Sequence, residues 1–436
     1  MDEQHRSGLP AGARAWSRRE LLALLARAGV GLVVAPPLLS LLGAQAAAQE
    51  SSGRPNPKRL IVLWLDGGPS HLDTFDPKPG TPGGGPFRTL PTDVAGWSFC
   101  EHLPRMAARA ARLTVVRSLH SKEGSHARAR QLLHWGYTPN PSVAFPSLGA
   151  MVAHEIGDLE HDLPAFVQLL GEPWGAGYLG VEAAPYLIAD PTSRLENLTR
   201  NGAIDAERAA QRDELLALLD GDFARRGGAR VVHEQSVQRR RARTLMESKL
   251  LPALDLRREP DAVRDRYGRG KFGQGVLMAR RLIESGVAAV EVSLEGWDTH
   301  KDNFNRTKAL CGELDPAFAA LLDDLTERGL LDDTLVLCVG EFGRTPEILA
   351  GDGRNHWTNA YSAVLAGCGV PAGRAVGATD ERGAQIVERP IAIADLFATF
   401  AQLLGFDGSR KFQASTNRPV TLVDPNGAAV SELLPS

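Results

Sequence analysis

The sequence predicts an α/β fold in which a mainly parallel β-sheet is flanked by helices and carries a helical insertion. Three observations point there. Continuous apolar runs of strand length recur along the chain, beginning with Leu60-Ile61-Val62-Leu63-Trp64-Leu65, and a run without polar alternation suits a parallel strand buried on both faces. Helical patterns separate these runs, and strands alternating with helices build an open sheet. The stretch from about Asp190 to Gly270 is charged, helix-forming and without a strand signal, so it reads as an insertion or cap over that sheet. With 436 residues, 43% of them hydrophobic, the chain has enough apolar material for one large core with such an insertion.

The first fifty residues obey a different rule. Ser17-Arg18-Arg19-Glu20-Leu21-Leu22 leads into an apolar stretch, Leu21 to Leu42, and this is followed by Ala46-Ala47-Ala48. A charged n-region, an apolar h-region and a small-residue cleavage site make a signal peptide, and the paired arginines mark the twin-arginine route. Arg27 and Pro36-Pro37 interrupt the apolar run, which argues against a stable spanning helix. The expected organisation is a twin-arginine signal peptide over 1–48, a Ser/Gly/Pro-rich linker over 49–58 and one α/β domain over 59–436. The twin-arginine export machinery is then a partner, no stable membrane span remains after cleavage, and the protein works in the periplasm or outside the cell.

After the first strand, Asp76 to Pro86 contains Pro77, Pro79, Pro82 and Pro86 with Gly80 and Gly83-Gly84-Gly85. Such a segment cannot be a helix or a central strand and is expected as a surface loop near the end of the first strand. Further strand signals fall at Leu113 to Val116, Phe166 to Leu170, Val287 to Leu294, Leu335 to Val339 and Ala363 to Ala366. Pro316 to Arg328 reads as a helix, with Asp315 as N-cap and Gly329 as its stop. Within the insertion, Arg239-Arg240-Arg241 reads as a solvated helix face. The four cysteines, Cys100, Cys311, Cys338 and Cys368, show no zinc-finger spacing, and Cys338, inside an apolar run, is expected as a buried free thiol. A net charge of −3 offers no basic face to a phosphate backbone, so nucleic acid is not an expected partner.

The chemistry is sought where strands end, because sites in open α/β sheets form beyond the carboxyl ends of the strands. The first strand runs into Asp66-Gly67-Gly68-Pro69-Ser70-His71, a later one into Glu295-Gly296-Trp297-Asp298-Thr299-His300, and a third into Gly340-Glu341-Phe342-Gly343-Arg344-Thr345. Gly353-Arg354-Asn355-His356-Trp357 precedes the next strand. In a parallel sheet the first three turns open onto one edge. Carboxylates and imidazoles gathered there would repel one another unless a cation held them. Mixed Asp, Glu and His donors suit zinc first, then manganese or iron, with magnesium or calcium where oxygens dominate.

An apolar strand ending in Asp-Gly, an Asp-x-His after a later strand, a Thr-Leu-Val strand followed by an acidic turn, and a His before another strand together resemble the alkaline phosphatase and sulfatase superfamily. The chain is most similar to an exported branch catalogued as domain of unknown function 1501. The likeness covers nearly the whole mature chain, including Arg389-Pro390-Ile391 and the helix begun by Asp395-Leu396-Phe397. By that resemblance Asp66 is a metal ligand from the first strand, Asp298 with His300 serves one metal, Glu341 stands where an Asp-His pair is common, and His356 is the final histidine ligand. Phe342 departs from the pattern and cannot coordinate. The resemblance also implies a hydroxyl nucleophile at a helix N-terminus, where the dipole and metal lower its pKa. The matching segment, Glu123-Gly124-Ser125-His126-Ala127-Arg128, puts His126 at that position and Ser125 one residue before it. Ser125 is then the nucleophile, or His126 is a ligand, a general acid or a phosphorylated nucleophile. Cys100-Glu101-His102-Leu103-Pro104-Arg105 has the wrong spacing for a formylglycine motif, which disfavours a classical sulfatase.

Arg344 either clamps a substrate phosphate or sulfate or pairs with Glu341. The expected activity is metal-dependent hydrolysis of a phosphate, phosphonate or sulfate ester of a small molecule or glycan, by Ser125 or a bound water. The competing expectations are a non-catalytic exported binding protein that keeps the fold and one metal, and an iron-dependent redox enzyme.

Overall fold

A computed structural model describes residues 57–435 except 194, 196, 197, 199–201, 203, 415 and 416. The signal peptide expected over 1–48, and the linker as far as Asn56, lie outside the described residues. No helix among the described residues is long and apolar enough to cross a membrane.

The six strand signals fall on six strands of a nine-stranded sheet among the described residues, and three short strands, Tyr186–Ile188, Arg374–Val376 and Ile391–Ala392, join it without such a signal. Its strands are β1 (Arg59–Asp66), β2 (Thr114–His120), β3 (Phe166–Leu169), β4 (Tyr186–Ile188), β5 (Ala289–Glu295), β6 (Thr334–Val339), β7 (Tyr361–Ala366), β8 (Arg374–Val376) and β9 (Ile391–Ala392). Across the sheet the order is β8-β2-β7-β6-β1-β5-β3-β4, with β9 also on β2. β1 lies between β6 and β5 and is parallel to both, while β7 is antiparallel to its neighbours β2 and β6. The sheet is thus mixed but mainly parallel.

Among the described residues, eight helices of seven residues or more complete the frame: α1 (His126–Trp135), α2 (Leu148–Glu155), α3 (Ala206–Phe223), α4 (Ala229–Glu247), α5 (Asp261–Tyr267), α6 (Lys271–Glu284), α7 (Asn303–Glu327) and α8 (Ile393–Leu404). Alternate residues of β1 point to opposite faces, as the period of a strand requires. Ile61, Leu63 and Leu65 join the core formed with Val276 and Leu277 of α6 and Phe318 and Leu321 of α7. Leu60, Val62 and Trp64 join the opposite core with Met151 of α2 and Phe397 of α8. Helices therefore cover both faces, which explains why the strand is apolar without interruption.

Two local expectations need correction. Helix α7 begins well before Pro316, which lies inside it. A proline inside a helix costs about 3 kcal/mol, but Cys311, Leu314, Phe318, Leu321, Leu322 and Leu325 line one buried face. Each such side chain contributes roughly 1.5–3 kcal/mol, so packing outweighs propensity. Asp315 is not the N-cap of this helix. Its buried carboxylate accepts the backbone N–H groups of Arg105 (3.0 Å) and Met106 (2.8 Å), at the start of the short helix Pro104–Ala107.

The helical insertion consists of α3, a π-helical turn over Ala224–Gly228, and α4, followed by shorter turns and α5. The arginine run is divided between roles. Arg239 pairs with Asp220 at 2.5 Å and Arg240 is exposed, while Arg241 donates to the Val181 and Ala184 carbonyls at 2.9 and 3.2 Å. Just beyond α4, Ser248 Oγ donates to Asp162, shortly before β3 begins. The end of α4 is thus fastened at the margin where β3 starts. All four cysteines are buried free thiols.

Candidate metal centre

The β1–β5 register pairs Asp66 with Glu295, and the β1–β6 register pairs Trp64 with Val339. The three turns therefore leave the sheet at nearly one level. Gly67 makes their close approach feasible: its φ is +115°, and a Cβ there would lie 2.3 Å from the backbone nitrogen of Asp298. Gly68, at φ +79°, would meet the Phe342 ring at 2.5 Å. Only glycine fits both requirements.

Four side chains converge above these turns. The ligand-capable atoms of His126, Asp298, His300 and His356 all lie within 4.8 Å of one another. His300 Nε2 is 2.9 Å from His356 Nε2, and Asp298 Oδ1 lies 3.2 Å from His300 Nε2, 3.3 Å from His126 Nε2 and 3.7 Å from His356 Nε2. The His126 Nε2 is buried without an aligned hydrogen-bond partner. Its other nitrogen, Nδ1, contacts Glu341 Oε1 at 2.7 Å, and His356 Nδ1 contacts the Gly124 carbonyl at 2.8 Å. Assigning a proton to each Nδ1 satisfies both contacts and turns both Nε2 lone pairs inward, as metal-ligating histidines are held. Three imidazole nitrogens and one carboxylate oxygen can hold a divalent ion.

The surrounding charges tune these groups. Its hydrogen bond to Glu341 holds the His126 imidazole above its ordinary pKa, against burial. Burial pushes His356 down. For Asp298, burial acts upward, but the Arg344 guanidinium prevails and leaves the carboxyl below its ordinary value.

Arg344 is fully buried. Its Nη2 donates to Asp298 Oδ1 at 2.7 Å and also to the Gly67 carbonyl, Nε donates to Gly68 at 2.9 Å, and Nη1 donates to the Arg354 carbonyl at 3.2 Å. It therefore grips Asp298 from behind. Phe342 packs in tilted contact against His356 and His126, with ring centroids 4.4 and 4.9 Å away. It braces two imidazoles.

Asp66 and Glu341 lie beside the four-residue group. Trp64 Nε1 donates to Asp66 Oδ1 at 3.1 Å, and Arg130 Nη2 donates to Asp66 Oδ2 at 2.9 Å. Arg130 Nε is 2.7 Å from Asp66 Oδ1 but out of line for a hydrogen bond, so that contact is ionic only. Glu341 accepts the Gly67 N–H on both oxygens, at 3.1 and 3.2 Å, in addition to His126. Ser125 is exposed at the N-terminus of α1, and its side chain makes no capping hydrogen bond. Arg128 pairs with Glu123 at 2.6 Å, and His71 is buried with Nε2 2.8 Å from the Gly383 carbonyl.

Four further residues support the site without having been singled out from the sequence. Asp73 and Arg354, both fully buried, form a two-toothed ion pair at 2.7 and 3.1 Å. Asn303 donates to Asp73 at 2.9 Å and accepts from Thr299 at 2.7 Å, so this network ties the first and second turns to the hairpin carrying His356. Arg130 is the fourth. Its spacing from His126, one helical turn on, was the available signal.

The sequence profile described as protein of unknown function (DUF1501) matches residues 57–434. The chain belongs to the DUF1501 family. No curated protein matches the sequence. Among solved structures, the DUF1501 chain is similar to the PsFucS1 sulfatase from Pseudoalteromonas sp., with 13% identity and a TM-score of 0.38 over 86% of this chain and 72% of that one. It is also similar to the C-terminal periplasmic domain of EcEptC from Escherichia coli in complex with zinc, with 11% identity and a TM-score of 0.38 over 88% and 90% of the two chains. A protein of the alkaline phosphatase superfamily from Vibrio parahaemolyticus aligns at 12% identity and a TM-score of 0.37, over 81% and 68%. Scores this low carry neither fold nor chemistry across. The fold of the DUF1501 chain is read from its own sheet order, and its chemistry from its own side chains.

Proposed function

We propose that this DUF1501 protein is an exported, metal-dependent hydrolase of phosphate, phosphonate or sulfate esters. His126, Asp298, His300 and His356 are the ligands of its divalent ion, zinc before manganese or iron. The observation that carries this reading is the convergence of three imidazole Nε2 atoms and Asp298 Oδ1 at the carboxyl edge of the sheet. A divalent ion bound there supplies Lewis-acid polarisation of the ester oxygen.

The chain's own groups do the rest. Arg344 keeps Asp298 oriented and ionised, Glu341 orients His126, and Phe342 fixes the planes of two rings. Ser125, with its hydroxyl not engaged in capping, is the nucleophile at the start of α1, where the helix dipole favours the developing alkoxide. The leader over 1–48 directs the chain to the twin-arginine machinery, and the ester is that of a small molecule or glycan.

The test is metal analysis of the mature protein together with a screen of aryl phosphate, phosphodiester, phosphonate and sulfate esters. Bound metal with turnover that is lost in Ser125→Ala, while the metal remains, is the expected result. Turnover unchanged in Ser125→Ala would replace the serine by a water. A metal-free, inactive protein would overturn the hydrolase reading, and bound metal without turnover would leave a binding protein.

A further inference from the structure

Helix α1 carries a basic residue on every fourth position of one face, and each meets a carboxylate from a different part of the sheet. His126 meets Glu341, beyond β6, at 2.7 Å. Arg130 meets Asp66, at the end of β1, at 2.7 and 2.9 Å. His134 Nε2 meets Glu291, inside β5, at 3.3 Å, and its Nδ1 contacts the Arg130 carbonyl at 2.8 Å. The His134 ring packs between Trp64 and Trp174, with centroids 4.3 and 4.0 Å away. Residues four apart share a helix face, so this ladder holds the whole face of α1 in register with the sheet. Arg130 is its middle rung. Its guanidinium is held on both sides in sequence by anchored neighbours, and its indole-bound partner Asp66 is anchored as well.

That placement has an electrostatic consequence. Asp66 and Glu341 are neighbouring carboxylates, and Arg130 Nε lies 2.7 Å from the first and 3.7 Å from the second. Close carboxylates need a cation between them, and here the chain provides one. The His126, Asp298, His300 and His356 group instead presents inward-facing nitrogens, including the unpartnered His126 Nε2.

Resting on the metal-dependent reading above, we infer that this centre takes a single divalent ion and that Arg130 is its fixed second cation, binding the anionic group of the ester. The Arg130 side chain is 25% exposed, and among the described residues no acceptor meets its Nη1, so that nitrogen is open to an anion. Three carboxylates, Asp66, Asp298 and Glu341, face two guanidiniums, Arg130 and Arg344, which leaves one negative charge when the ligating imidazoles are neutral. One divalent ion converts this to one positive charge. The matching substrate is an ester with a singly charged tetrahedral oxyanion, a phosphodiester or a sulfate ester, in preference to a doubly charged phosphomonoester.

Calorimetric titration of zinc into the metal-free mature protein, checked by elemental analysis, tests the count. One zinc per chain is expected. Two per chain in the wild-type protein would overturn the inference while keeping the hydrolase reading, and none would remove that reading itself. Arg130→Gln should retain the first site, expose Asp66 and Glu341 to a second, weaker zinc, and raise KM for an aryl phosphodiester about tenfold or more. Arg130→Lys, which keeps the charge, should still bind one zinc and so controls for loss of fold. An unchanged KM in a folded Arg130→Gln variant, or a phosphomonoester preferred over both diester and sulfate ester by the wild type, would also overturn it.

Discussion

The Nε2 atoms of His300 and His356 lie 2.9 Å apart, although one residue follows β5 and the other sits in the hairpin before β7. Two unprotonated ring nitrogens would repel at that distance, so the pair is a place for a shared proton or a cation. His356→Ala is expected to lower zinc affinity by more than the roughly 10–100-fold that loss of an outer-shell partner causes. Zinc titration of the purified variant measures it, and wild-type affinity would show that the pair does not ligate.

Arg344 differs from these residues in what it can touch, since every direction of its guanidinium ends on protein. Arg344→Met should weaken zinc binding by about 10–100-fold through Asp298. Unpairing the Gly67 and Gly68 carbonyls should cost about 1–3 kcal/mol of stability. A variant that loses the stability but binds zinc normally would restrict Arg344 to a structural part.

The Asp73–Arg354 pair is fully buried on both sides. Removing one partner from such a pair leaves an uncompensated charge and costs about 3–5 kcal/mol. Asp73→Ala is therefore expected to lower the urea midpoint steeply, whereas a shift below about 1 kcal/mol, the scale of an exposed pair, would contradict the assignment.

His71 provides a pH dependence. Burial pushes its imidazole below the ordinary value of 6.5, with Asp76 and Asp73 acting upward and Arg354 downward. The unfolded chain then binds more protons than the folded one near pH 6, so stability rises with pH in that window. Its contribution is complete above the unfolded pKa and is lost as pH falls below about 6.5 toward the depressed folded value. Thermal unfolding between pH 5 and 8 should show that slope, and His71→Gln, which can still donate to the Gly383 carbonyl, should flatten it. An unchanged slope would assign the effect to another group.

The strands were legible because burial on both faces leaves a signal that no tertiary knowledge is needed to read. Leu60 to Leu65 and Leu335 to Val339 appear as strands within a residue of where the apolar runs place them. The start of α7 was not legible: Pro316 is a local stop signal, and it is overridden by a buried face that only the packed sheet defines. Asp315 looked like a cap for its own helix and instead caps the helix at Pro104, because carboxylate reach is set in space.

The candidate site divides along the same line. Asp66, Asp298, His300, Glu341 and His356 could be picked out one by one, since each follows or adjoins an apolar run and the carboxyl edge of a parallel sheet gathers such turns. By itself, then, the sequence determined the fold class, the edge at which the candidate site gathers and the residue types found there. Which of those residues face one another was decided only by the tertiary structure. Crossing of the turns at Gly67 and the register of α1 bring His126 to Asp298, His300 and His356, while Asp66 and Glu341 close around Arg130. The physical reason is range: burial and periodicity act along the chain within a few residues, whereas charge pairing depends on ångström separations between segments that only the folded sheet brings together.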